Sequence, residues 1–200
     1  MSSLLLYLHG FNSSPLSVKA GRLEAFLAAS DYDLELQVPQ LHYDPDRAIE
    51  QADSVIAAAR AVERPVALMG SSLGGYYAAW LSTRWQVPAV LVNPAVYPYR
   101  LLADYVGPQE NPYTGERYTL THGHRHQLQA LDAGDHFRPE QLFLLLETAD
   151  ETLDYREALL RYPGARTWVR PGGSHAFDGF ERCLPAALAF LFDPSHFPAL

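Results

Sequence analysis

One cysteine, Cys183, is all that this 200-residue chain contains, so no intrachain disulfide can form and cysteine usage gives no sign of an oxidising compartment. A free, buried thiol is the expectation. Basic residues are also scarce, with Lys and Arg totalling 15 against 23 Asp and Glu, for a formal charge of -8. Neutralising phosphates needs clustered cations, and no window supplies them, so nucleic acid is not an expected partner. Long apolar runs are missing too. The stretch Leu4-Leu5-Leu6-Tyr7-Leu8 is too short for a secretory apolar core and lacks a basic flank, and nothing approaches a membrane span. The expectation is a cytoplasmic chain with no membrane partner. Metal-ligand spacing is equally sparse. His122, His124 and His126 alternate and would share a face on an extended strand, but no cysteine or carboxylate stands at ligand spacing beside them, so no metal is expected.

What is present fits one compact domain over residues 1–200, long enough to bury a substantial core without disulfides or metals. Apolar runs without alternation suit parallel strands covered on both faces. Residues 4 to 8 are such a run, and further strands are read at Leu34 to Leu41, Val66 to Met69, Pro88 to Pro94, Gln141 to Thr148 and Arg166 to Arg170. Helical patterns separate them. Ser14 and Pro15 read as a cap and first-turn proline, Asp44-Pro45-Asp46 opens a second helix, Tyr155 to Tyr162 reads as another, and Phe180 to Phe192 as the last. The alternation predicts an α/β fold with a mostly parallel sheet of about six strands, helices on both faces and ligands gathering at the carboxyl ends of the strands. Residues 95–139 carry several Pro and Gly without a convincing strand and form a candidate lid or insertion.

Gly70-Ser71-Ser72-Leu73-Gly74 follows an apolar strand and leads into an Ala-rich, aromatic helix. That is the context of a G-x-S-x-G nucleophile elbow, a turn so sharp that only hydrogen fits at its flanking glycines. Ser72 is the candidate nucleophile. Ser71 is its rival but lacks symmetric glycines. A serine hydroxyl is weak near neutral pH, so it needs a base and the base needs an orienting carboxylate. Asp150 follows the fifth strand and His175 follows the sixth within Gly172-Gly173-Ser174-His175. The chain order Ser, Asp, His is the one expected of α/β-hydrolases. Glu151 and Asp154 are rivals for the acid, with Asp154 better placed to cap the next helix. Backbone N–H groups of Leu73 and Phe11 are the candidate oxyanion donors, Gly10 allowing the first loop to approach. His9 either orders that loop or merely ends a strand. Tyr97, Tyr99, Tyr105, Tyr113 and Tyr118 either line an acyl pocket or pack the insertion.

Tyr7-Leu8-His9-Gly10-Phe11-Asn12-Ser13-Ser14, Gly70-Ser71-Ser72-Leu73-Gly74-Gly75-Tyr76-Tyr77, Asn93-Pro94-Ala95-Val96, Asn111-Pro112-Tyr113-Thr114-Gly115 and His175-Ala176-Phe177 together resemble the bacterial YqiA-like esterases of the α/β-hydrolase superfamily. The resemblance implies a small serine hydrolase without a cofactor, acting on short acyl esters and acyl-CoA thioesters. It carries over Ser72, His175 and Asp150 as nucleophile, base and acid. Ala149 departs from the Thr-Gly-Asp-Glu stretch of that family. The same fold also hosts non-enzymatic small-ligand sensors, and the same machinery serves serine peptidases and amide hydrolases.

Overall fold

In the computed structural model, which describes residues 2–193, β1 (Ser3–Leu8) shows why the apolar run becomes a central strand. Leu4, Leu6 and Leu8 enter one hydrophobic cluster and Leu5 and Tyr7 the opposite one, all at most 1% exposed. Burial of each such leucine contributes about 1.5–3 kcal/mol, and only a strand covered on both faces lets every side chain of the run contribute.

The sheet continues through β2 (Leu34–Gln37), β3 (Val66–Ser71), β4 (Ala89–Val92), β7 (Leu142–Glu147) and β8 (Arg166–Arg170). It has six parallel strands in the order β2-β1-β3-β4-β7-β8. Helices α1 (Val18–Ala28) and α7 (Phe180–Phe192) cover one face; α2 (Pro45–Ala61), α3 (Leu73–Trp85) and α6 (Tyr155–Arg161) cover the other. The chain leaves β1 toward β2 and returns to β3 on the other side, so a crevice opens between the carboxyl ends of β1 and β3. Such a switch in strand order is where open α/β sheets place ligands. No helix of the described residues is long and apolar enough to cross a membrane.

Several expected boundaries move. The second strand ends at Gln37 rather than Leu41, because β1 pairs with it only from Leu34 to Gln37. Helix α1 begins at Val18 after Ser17, not at Ser14 and Pro15. Ser14 Oγ instead accepts a hydrogen bond from the Leu16 amide, closing a turn one step earlier. Asp44 caps α2 by accepting from the Arg47 amide, as its position suggested. The segment 95–139 holds more regular structure than its proline and glycine content indicated. It contains α4 (Pro98–Leu101), an antiparallel ribbon of β5 (Gly107–Glu110) and β6 (Arg117–Leu120), and α5 (His122–Ala130). The ribbon turns on Asn111, whose side-chain oxygen accepts from the Tyr113 and Thr114 amides. The histidine trio lies on α5, where residues two apart point away from each other. Thr121 caps that helix in a reciprocal pair with His124, whose ring also sits 3.4 Å from Asp44.

Candidate active site

Ser72 joins β3 to α3 with φ 54° and ψ -120°, a conformation that costs a side-chain-bearing residue about 1–3 kcal/mol. Its surroundings hold it there. The Ser72 amide donates to the Val92 carbonyl at 3.1 Å, and the Ser72 carbonyl accepts from Gly75 at 2.9 Å and Ala95 at 3.1 Å. A methyl group on Gly70 would overlap the carbonyl of Gly74, and one on Gly74 would overlap the carbonyls of Leu8 and His9. Both glycines are therefore required by close approach of backbone to backbone. Ser71, the rival hydroxyl, is 3% exposed, and it is Ser72 Oγ that lies against the His175 ring.

The loop after β8 brings His175 over this turn, its Nε2 3.1 Å from Ser72 Oγ and its Nδ1 2.8 Å from Asp150 Oδ2. Burial works to raise the Asp150 pKa, but hydrogen bonds from His175 and the Leu153 and Thr152 amides outweigh it and hold the carboxyl below its ordinary range. Oδ1 takes both of those amides at 2.8 Å. An ionised carboxylate can only accept, so Nδ1 carries the proton and Nε2 is left to accept from the serine hydroxyl. The rivals are otherwise engaged. Glu151 accepts from the His175 backbone amide, and Asp154 caps α6 through the Arg156 amide. Ala149 has no left-handed backbone angle, so the absent glycine imposes no strain there.

The loop after β1 forms the opposite wall. A methyl group on Gly10 would come 3.3 Å from Ser72 Cβ, which places the next residue, Phe11, beside the nucleophile. Among the described residues, the N–H groups of Phe11 and Leu73 donate to no protein acceptor, Leu73 being the first residue of its helix. His9 orders the loop. Its Nε2 accepts from the Leu41 amide at 3.1 Å and its Nδ1 lies 3.0 Å from the Gly10 carbonyl. Accepting through Nε2 requires a neutral ring, and burial lowers the His9 pKa in the same direction.

Two residues unassigned by sequence reasoning support the histidine loop. Glu147, 1% exposed, accepts from the amides of Ser174 at 3.0 Å, Asp178 at 2.9 Å and Gly179 at 3.1 Å, with Arg170 Nε 3.8 Å away. Asn93 donates through Nδ2 to the Ser174 carbonyl and accepts the Glu147 amide through Oδ1, both at 3.0 Å. The signal for Glu147 was a charge ending an otherwise apolar buried strand, a placement that demands partners.

Two cavities meet at Ser72. One, about 430 Å³, is walled mainly by apolar groups of Phe11, Leu73, Leu101, Leu102, Tyr105 and Leu153, with Arg100 and Asp104 also lining it. The other, about 260 Å³, lies on the His175 side and is more polar. Of the insertion tyrosines, Tyr105 borders the first and Tyr113 the second, whereas Tyr97 and Tyr99 pack against the core.

A family model described as an uncharacterised protein family, UPF0227, matches residues 4–192. Solved structures share the α/β-hydrolase fold. Est1E from Butyrivibrio proteoclasticus is similar at 13% identity and TM-score 0.75, over 96% of this chain and 88% of that one. The esterase domain of a Rhodothermus marinus protein is similar at 16% identity and TM-score 0.67, over 94% and 86%. Mouse alpha/beta hydrolase domain-containing protein 10 is similar at 16% identity and TM-score 0.66, over 96% and 90%.

Proposed function

Because the chain belongs to UPF0227, the YqiA-like esterase family, we propose that it is a serine carboxylic ester hydrolase that cleaves small acyl esters, and acyl-CoA thioesters by the same chemistry. The observation that carries this reading is the continuous hydrogen-bonded path from Asp150 through His175 to Ser72.

In the proposed reaction Ser72 Oγ attacks the ester carbonyl while His175 Nε2 takes its proton, forming a tetrahedral intermediate. The negative oxygen is held by the free N–H groups of Leu73 and Phe11, a contribution of about 2.7–4 kcal/mol per donor in a studied protease. Asp150 fixes the imidazole tautomer and stabilises the imidazolium. The same imidazolium gives its proton to the departing alcohol or thiol, leaving Ser72 acylated. Water, deprotonated by His175, then attacks the acyl-enzyme; the acid leaves and Ser72 regains its proton. No cofactor enters these steps. The apolar cleft beside Leu73 suits the acyl chain, since it adjoins the nucleophile without being lined by the imidazole.

Hydrolysis of p-nitrophenyl butyrate tests the reading. Ser72→Ala and His175→Ala are each expected to lower kcat by at least about 10⁴-fold. Turnover that survives in Ser72→Ala, or a wild-type protein that binds esters without cleaving them, would overturn it.

A further inference from the structure

The cavity on the His175 side of Ser72 contains a set of groups that the hydrolytic steps leave unused. Lys19, the single lysine of the chain, lines it, and its Nζ donates to the carbonyls of His175 at 3.5 Å and Ala176 at 3.2 Å. An ammonium has three N–H bonds, so one remains uncommitted. Ser17 lines the same cavity. Its residue is 8% exposed, and its Oγ is buried without a hydrogen-bond partner. That residue also precedes α1, yet its side chain does not cap the helix, and no acidic residue sits in the first turn. The N–H groups of Val18, Lys19 and Ala20 accordingly make no hydrogen bond to described residues. Among the described residues that line the cavity, none is a carboxylate, and Tyr113 stands at its rim.

A cation with one uncommitted N–H, an unpartnered buried hydroxyl and an uncapped helix start in one cavity together present donors that no described residue satisfies. Polar groups in that state are stabilised by an acceptor of negative charge. Burial lowers the Lys19 pKa from its ordinary range, with the Asp150 and Glu147 carboxylates acting against it and the Arg22 guanidinium adding to it. An anion brought beside Nζ would offset the lost hydration. The side of the site also matters. His175 must deliver its proton to the leaving oxygen, so the leaving group departs past the imidazole and into the cavity that His175 lines.

We infer that this cavity is an anion subsite for the leaving group, and that preferred substrates are esters of an alcohol bearing a carboxylate or phosphate a few bonds from the ester oxygen. The inference rests on the ester hydrolase reading and adds the class of alcohol. The apolar cleft then takes the acyl part, and Lys19, Ser17 and the α1 amides take the charge.

The test compares kcat/KM at low salt for three butyrate esters, those of 3-hydroxypropanoate, 3-hydroxypropanamide and 3-hydroxypropyl phosphate, with p-nitrophenyl butyrate as the reference. At least one anionic ester is expected to exceed the amide ester by about 10-fold or more, and the larger ratio names the anion. Lys19→Gln should bring that ratio to near one. Ser17→Ala should lower it a few-fold, and added salt should compress it in the wild type. Each ratio is taken within one variant, so a general loss of activity cancels; if Lys19→Gln fails to fold, Ser17→Ala and the salt series decide. A wild-type ratio near or below one, or a ratio untouched by these changes, overturns the subsite. If the reference ester is cleaved in a Ser72-dependent manner while the ratio is flat, only this inference fails. If the reference ester is not cleaved at all, the hydrolase reading fails with it.

Discussion

Glu147→Gln is a nearly isosteric change with a large expected effect. The native carboxylate accepts three backbone amides of the histidine loop, from Ser174, Asp178 and Gly179, and faces Arg170. The loop wraps it so tightly that a methyl group on Gly173 would overlap the carboxylate. Hydrogen bonds to a charged group contribute about 1.5–3 kcal/mol each. A glutamine keeps one oxygen, which serves Ser174 and Asp178 without the charge, and turns an NH₂ toward the Gly179 donor and the Arg170 guanidinium. One charge-assisted bond is lost and two are weakened, for a total of about 3–5 kcal/mol. A domain of this size loses about 2–4 °C of Tm per kcal/mol, so the expected drop is roughly 6–20 °C. Activity should fall as well, because His175 follows Ser174 directly and misplacement by about 1 Å can reduce turnover 10²-fold. Thermal unfolding by circular dichroism and ester hydrolysis of the same sample read both effects. A variant melting within about 2 °C of wild type with full activity would refute the role assigned to Glu147.

Asp150→Asn should lower kcat by roughly 10⁴-fold through the wrong imidazole tautomer, while the Thr152 and Leu153 amides keep an oxygen to bond; more than a tenth of wild-type activity would contradict this. The same group sets a pH dependence. Its folded pKa lies below the unfolded value of 3.8, so its stabilisation is present above that value and is lost as pH falls through the lower folded value. Urea midpoints of wild type and Asp150→Asn should therefore converge as pH falls from about 5 through 3.8 and below; a gap that widens over that range would reverse the sign. Gly74→Ala drives a methyl group into the end of β1 and should give insoluble or unfolded protein, whereas a soluble, active variant would discount the close approach. Leu101→Trp partly fills the apolar cleft and should reduce octanoate hydrolysis relative to acetate; an unchanged ratio would place the acyl chain elsewhere.

The centre of the sheet was readable because β1, β3, β4 and β7 are largely apolar runs that only double-sided burial satisfies, whereas β2 and β8 carry polar residues and were marked by their place in the strand and helix alternation, β8 and α7 falling at the expected residues. That Ser72, Asp150 and His175 would come together was legible because each stands at a strand end next to a motif or glycine pair with a stated mechanical purpose. The ribbon of β5 and β6 was hidden by Gly107, Pro108 and Pro112, which read as loop until the Asn111 turn and the pairing of both strands are seen. The helix around the histidine trio was not legible because period-two spacing in a polar segment carries no burial signal; Thr121 and the buried Leu128 decide for helix. Glu147 and Asn93 escaped assignment for a different reason. Their roles depend on a backbone amide about 30 residues from Glu147 and a backbone carbonyl about 80 residues from Asn93, contacts that no local pattern encodes.

The most direct check on the nucleophile is to treat the protein with a fluorophosphonate and map the covalent adduct by peptide mass spectrometry. A single modification on Ser72, absent from Ser72→Ala and strongly slowed in His175→Ala, is the expected result. Modification of another residue, or labelling undiminished by Ser72→Ala, would contradict the assignment of this turn as the reactive centre.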